Sequence, residues 1–329
     1  MSQAFKRDYL QHALAISRWV QDNGAQSGID PCTQALDLRL HGRTVRLIPQ
    51  FIVQDQEGRF MYTPQMSPAM CGFVGWLPYF NKVWSVAEDK LAFKQHAALT
   101  GIRTPRWTVE PAQAKGAFIV KSRRSTFGRG LRGPFDGASP LALEDGEYCE
   151  QFIVGRLLKA LFWNDQLVAL ELLDMPAVRG DGKHTMRQLI GARLAPTERF
   201  PEDLAPLVAI QGLELDSVVP EGRVALADYR YVSPLHFATG TDFDVRSSIA
   251  GSPLETQVIE AGQRCLRAVP PEKRFGTAFS LDGVVDSQGQ IWFLEVNCNP
   301  QLHPALYRTM LSDIFAAFAG TTPVAEHVA

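Results

Sequence analysis

Cysteine is scarce in this chain: five residues in 329, at positions 32, 71, 149, 265 and 298, an odd number with no C-x-x-C pair. That excludes a disulfide framework and the usual zinc spacings, and points to a reducing compartment. No run approaches the roughly 18 apolar residues needed to cross a bilayer, and the first residues, MSQAFKRDYLQ, have no apolar core of a leader, so a cytoplasmic location is expected. Charge of one sign is also missing. Lys and Arg number 33 and Asp and Glu 35, a net of -2, so no global field holds a nucleic acid or an anionic membrane, and any polyanion has to be met locally. Internal repeats, low-complexity tracts and a G-x-x-x-x-G-K-[ST] phosphate loop are absent too.

What remains is a chain with 46% hydrophobic and 21% charged residues, long enough to bury the cores of two or three lobes. Apolar spacing predicts a helix over 9–20 that stops near Asn23-Gly24. Strands are expected over 36–40 and 45–52 across the His41-Gly42 turn, whereas 72–84 is aromatic-rich and unassigned. A helix over 88–99 ends at Thr100-Gly101, followed by strands 107–109, 117–121 and 147–153 around a Gly, Ser and Arg-rich loop at 122–133. Beyond it strands at 158–163, 167–172, 279–285 and 291–296 alternate with helices, notably 254–269, and the tail after 320 is expected to fray.

Three local patterns carry chemistry. Asp282 lies on one apolar strand and Glu295 and Asn297 on the next, joined by the turn Asp286-Ser287-Gln288-Gly289, so an antiparallel hairpin brings three oxygen side chains to one face. Such hard ligands suit Mg²⁺ shared with substrate phosphates better than zinc. Glu295 sits in the apolar run Ile291-Trp292-Phe293-Leu294-Glu295-Val296, where an unpaired carboxylate would cost several kcal/mol. Lys121 ends the strand Ala117-Phe118-Ile119-Val120 and precedes Ser122, Ser125, Gly128 and Gly130, small residues that let backbone N–H groups approach an anion. The segment Glu150-Gln151-Phe152-Ile153 reads as a strand running into a turn, able to offer edge groups to a purine.

In this order the parts resemble the ATP-grasp ligases over roughly residues 88 to 308. Asp89-Lys90 with Thr100-Gly101-Ile102-Arg103-Thr104-Pro105 is similar to that family's DK…GIPxP entry to the nucleotide lid, and Asp282, Glu295 and Asn297 to its D…ExNxxPG signature. Met175 to Ile190, containing Gly180-Asp181-Gly182-Lys183-His184-Thr185, resembles the PxxVxGDGxHTIxELI segment of cyanophycin synthetases and bifunctional glutathione synthetases; the hairpin spacing also resembles D-alanine–D-alanine ligases.

The resemblance implies an α+β fold with two lobes clamping ATP: an N-terminal α/β substrate domain at 1–88, a small lid at 89–155 and a large subdomain at 156–329. It implies ATP and one or two Mg²⁺ ions, with Mn²⁺ as a substitute, held by Asp282, Glu295 and Asn297. Nucleotide contacts would come from Lys90, Lys121, Ser122, Ser125, Gly128, Gly130, Glu150, Gln151, Phe152, Ile153 and Lys159, with 122–130 as a flap over the phosphates. Lys121, Arg179 and His303 are the expected catalytic residues; Arg179, His184, Arg230 and His303 are substrate-contact candidates, Arg for a carboxylate and His for a proton.

The implied reaction joins a small carboxylate and an amine, amino acids or a short peptide, through an acyl-phosphate with release of ADP and phosphate. Another acceptor (a peptide side chain, a thiol, or carboxyphosphate chemistry), a non-catalytic nucleotide-binding regulator, and a homodimer stay open. Three positions depart from the pattern: Leu157 replaces an acidic residue expected at the ribose, Ser280 an arginine at the acyl-phosphate, and Gln301 the glycine of the signature.

Overall fold

A computed structural model describes residues 3–55, 60–125, 130–137, 141–195, 198–236 and 244–319. Gly128, with the rest of 126–129, and the tail after 320 therefore lie outside the described residues.

The N-terminal helix Gln3–Asn23 lies against an antiparallel sheet of β1 (Gln26–Ile29), β2 (Leu36–Leu40), β3 (Arg43–Gln54), β4 (Phe60–Thr63) and β5 (Met70–Leu77). Expected as α/β, this part has its one long helix segregated from hairpin-linked strands, because no connection between them is long enough for a parallel crossover. The first part of the unassigned aromatic stretch proves to belong to β5, whose Phe73 and Trp76 are buried under Tyr9 of the helix.

A four-stranded lid follows, in the order β6 (Trp107–Thr108), β9 (Glu147–Gln151), β7 (Phe118–Ser122), β8 (Arg132–Phe135). The larger sheet runs β11 (Gln166–Asp174), β10 (Arg156–Trp163), β14 (Ala278–Val285), β15 (Ile291–Asn297), all antiparallel. A short ribbon pairs β12 (Ala177–Arg179) with β13 (Val224–Leu226).

In the chain the helix Lys90–Thr100 follows the N-terminal sheet and precedes the lid. Asp89 caps it by accepting from the Leu91 and Ala92 N–H groups, and Gly101 ends it in the left-handed region at φ 71°. Although the sequence groups it with the lid, its Phe93 and Ala97 enter the core beneath the larger sheet, beside Phe162, Phe279 and Val258 of the helix Pro253–Arg267. Burying Phe93 alone is worth about 2–3 kcal/mol.

The N-terminal part likewise shares its core. Ile16, Trp19, Phe73 and Trp76 pack with Leu161 and Ala278 of the larger sheet and with Tyr307, Met310 and Leu311 of the helix Leu306–Ala319. Gly75 (φ 138°) permits this closeness: a Cβ there would lie 2.8 Å from the Tyr307 hydroxyl, which accepts from Trp76 N–H and bonds His12 Nδ1 at 2.9 Å.

Candidate functional site

The larger sheet turns one face to the Lys90–Thr100 and Pro253–Arg267 helices through Leu158, Ala160, Phe162, Leu170, Phe279, Leu281 and Phe293. Alternation puts the intervening residues on the other face, in three bands. At one end Leu157, Val284, Leu173 and Leu294 join an apolar cluster with Ile119 and Phe152 of the lid side. At the other, Leu161, Ala169 and Ala278 join the N-terminal core.

The middle band is charged. Glu171 on β11 pairs in register with Lys159 on β10, Lys159 with Asp282 on β14, and Asp282 with Glu295 on β15, a row crossing all four strands. The Asp286–Gly289 turn sets this register. Asp286 Oδ1 accepts from Gln288 and Gln290 N–H, its Oδ2 from the Trp292 indole, and a bulge after Asp282 keeps Glu295 opposite it.

Each charge in the row has a partner. Lys159 Nζ donates to Asp282 Oδ1 at 2.8 Å, Asn297 Nδ2 to Asp282 Oδ2 at 3.2 Å, and Lys90 Nζ lies 3.0 Å from Glu295 Oε2. Lys90 also donates to the carbonyl and hydroxyl oxygens of Ser125, at 2.8 and 3.2 Å. Glu171 accepts from the Tyr231 hydroxyl, whose ring lies under Lys159 Nζ at 4.8 Å from its centroid. Burial and the charge of Glu295 hold Asp282 above the ordinary carboxylate range. Glu295 goes the other way: burial would raise it, but Lys90 and Lys121 outweigh that and hold it below.

Beside the row lies a second cluster. Glu150 on β9 is fully buried, with Oε1 accepting from Lys121 Nζ at 2.6 Å and Oε2 2.6 Å from Lys94 Nζ. Both carboxylate oxygens of Glu150 thus face lysines inside the protein. The rest of that segment stays near the apolar band. Phe152 is buried there and its N–H is spent on Ala117 O, Gln151 N–H goes to Arg106 O, and the Ile153 N–H has no partner among the described residues.

Ser122 and Gly130 face each other so closely that a Cβ on Gly130 would lie 2.5 Å from Ser122 Oγ. Leu157 is buried in the apolar band, and Ser280, fully buried beside Asn297, has a hydroxyl without a partner among the described residues. Gly155, where a Cβ would meet Val285 O at 2.1 Å, lets β10 enter against β14.

Other candidates are held elsewhere. Arg179 is exposed on the β12–β13 ribbon, its guanidinium donating to Gly222 O. Arg230 is locked to Asp228 through both carboxylate oxygens and reaches Asp203 as well. His184 is exposed, with Nδ1 2.5 Å from Asp181 Oδ2. The Gly180-Asp181-Gly182 segment is a turn held by backbone bonds: Asp181 Oδ1 accepts from Lys183 and His184 N–H, Gly180 and Gly182 N–H donate to Arg223 and Val219 O, and Thr185 with Gln188 forms a capping box on the helix Met186–Gly191. His303 Nδ1 accepts from Ala305 N–H, and its Nε2 is buried without a partner among the described residues.

The sequence reading missed Lys94, Glu171 and Tyr231. For two the signal was present: Lys94 falls on the buried side of its helix with Leu91 and Ala97, and Glu171 interrupts Val168-Ala169-Leu170, as Glu295 interrupts its own strand.

No group of three or more His, Cys, Asp and Glu side chains forms a metal centre among the described residues. Two adjacent carboxylates and a carboxamide fit instead a hard ion that takes its remaining ligands from phosphate and water.

No family model and no curated protein matches the sequence. Solved structures do match. A bifunctional glutathione synthetase from Pasteurella multocida is 14% identical, with 94% of this chain and 43% of that chain covered and a TM-score of 0.43. A D-alanine–D-alanine ligase from Bacillus anthracis is 14% identical over 70% of this chain and 67% of its own, at 0.37. The VanG D-Ala:D-Ser ligase from Enterococcus faecalis is 13% identical over 71% and 62%, at 0.38. The chain thus spans less than half of the glutathione synthetase it matches, and the chemistry has to be argued from its own side chains.

Proposed function

We propose that this chain is an ATP-grasp carboxylate–amine ligase, and the observation that carries the reading is the charged row Glu171–Lys159–Asp282–Glu295 with Lys90 and Lys121 beside it. Lysines and carboxylates that neutralise one another can exchange partners when phosphates and a divalent cation arrive together. In this reading Lys90, Lys121 and Lys159 contact the phosphates, and Asp282, Glu295 and Asn297 hold Mg²⁺. The bound ion would supply charge neutralisation across the β- and γ-phosphates.

The apolar band of Ile119, Phe152, Leu157 and Leu294 takes adenine, with the Ile153 N–H as its edge donor. Ribose is held without a side-chain carboxylate at Leu157. The reacting end then lies toward the N-terminal core, where 1–88 and the His303 segment would shape the acid and amine sites. The γ-phosphoryl group passes to a carboxylate oxygen as ADP leaves, and the amine nitrogen attacks the acyl carbon, releasing phosphate and a proton. Positioning and electrostatics supply the rate.

The test is to incubate the protein with Mg·ATP and pooled amino acids and small carboxylates while following ADP, AMP and phosphate. ADP and phosphate that depend on the pool, and an amide product in it, support the reading. AMP with pyrophosphate would mean adenylation and reject the acyl-phosphate route.

A further inference from the structure

Lys94 lies one helical turn after Lys90 on the same helix and has no role in the scheme above. Its ammonium is completely buried, 2.6 Å from Glu150 Oε2 and 3.4 Å from Phe293 O on β15. Burying a lysine is expensive, and burial pushes Lys94 down to about 8 against the pull of Glu150. The expense has an electrostatic return. Glu150 fixes the direction of Lys121 from a fully buried position, yet a carboxylate 2.6 Å from an ammonium also cancels the charge an anionic ligand would use. Two lysines on one carboxylate leave the trio at +1; without Lys94 it would be zero.

We propose that Lys94 is a positioning residue, a built-in counter-ion that neutralises Glu150 so that Lys121 stays aimed by the carboxylate while keeping its charge for a ligand's phosphates. The assignment rests on the nucleotide reading of the site. Lys94 acts through Glu150 and Lys121 and touches no ligand itself. Its contact with β15 also ties the lid strand β9 to the strand that carries Glu295, so the two clusters keep their spacing.

ATP dissociation constants, measured with the full chain for wild type, Lys94→Met, Glu150→Gln and the double variant, test it, with thermal unfolding of each in parallel. Lys94→Met should weaken ATP about 10- to 100-fold, because Glu150 then competes for Lys121. Adding Glu150→Gln should bring the affinity back to within about threefold of wild type, since the competing charge has gone. A merely structural Lys94 gives no such recovery. Wild-type affinity in Lys94→Met, or a folded double variant that stays as weak as the single one, overturns the proposal. Should Lys94→Met not fold, Glu150→Gln decides alone, since its amide oxygen still accepts from Lys121 without the competing charge: affinity unchanged or tighter is expected, and a tenfold loss overturns it. Wild type that binds no ATP would instead reject the nucleotide reading.

Discussion

The charged row on the larger sheet and the Gly180-Asp181-Gly182 turn are opposite kinds of signal. In the sequence the turn is the more distinctive, a continuous stretch from Met175 to Ile190, whereas the row is four residues scattered over 137 positions. In the structure their weights reverse. The turn spends its polar groups on backbone, Asp181 on the N–H groups of His184 and Lys183, Gly180 N–H on Arg223 O. The row gathers charges from four strands into a half-buried band between two apolar ones, where each needs a partner or a ligand. A run of particular residues can thus record what a backbone bend requires, while chemistry is carried where burial makes charge costly.

Mutations can break this comparison. The largest effect is expected for Glu295→Gln, which removes a carboxylate from the row without changing its shape: ATP turnover should fall by about 100-fold or more, with little change in fold. Retained turnover would mean that the row is structural. Next is Gly180→Ala, where the new Cβ would fall 2.1 Å from Pro220 O. That backbone oxygen cannot retreat cheaply, so a loss of about 2–4 kcal/mol in denaturant unfolding is expected, while the folded fraction should turn over ATP normally.

The sequence revealed the elements better than their assembly. The hairpin carrying Asp282, Glu295 and Asn297 was legible because an Asp-x-x-Gly turn between two apolar runs leaves few registers, and Thr100-Gly101 marked the end of the helix ahead of the lid. The bulge after Asp282 was not legible, nor was the lateral contact with Lys159 and Glu171, since β10 and β14 lie more than a hundred residues apart and only sheet order makes them neighbours. The lysine pairing of Glu150 was not legible for a related reason. An amphipathic strand looks the same whether its polar face meets a ligand or another element, and here the second element is Lys94 of the Lys90–Thr100 helix.

A third effect sharpens the contrast between buried polar groups that serve the fold and those of the row. His12 is buried in the N-terminal core, and burial with the nearby His303 pushes it down to about 3. Its folded-state pKa lies below the ordinary 6.5, so the unfolded chain binds the extra proton first: the stability His12 contributes is complete above pH 6.5 and is lost as pH falls toward 3. The slope is at most about 1.4 kcal/mol per pH unit in that window. His12→Asn, which keeps an acceptor for the Tyr307 hydroxyl, should make the acid limb of stability shallower by up to one proton, as read from urea unfolding at pH 4 to 7.

The smallest effect is the most pointed. His184→Ala removes the ring from Asp181 at the surface and leaves the two N–H groups that close the turn on Asp181 Oδ1. Because those backbone bonds rather than the imidazole hold the bend, turnover should stay within about twofold of wild type. A loss of a hundredfold with an unchanged unfolding midpoint would put His184 in contact with the reacting groups. The turn would then carry chemistry as is proposed for the row, and the division between them would fail.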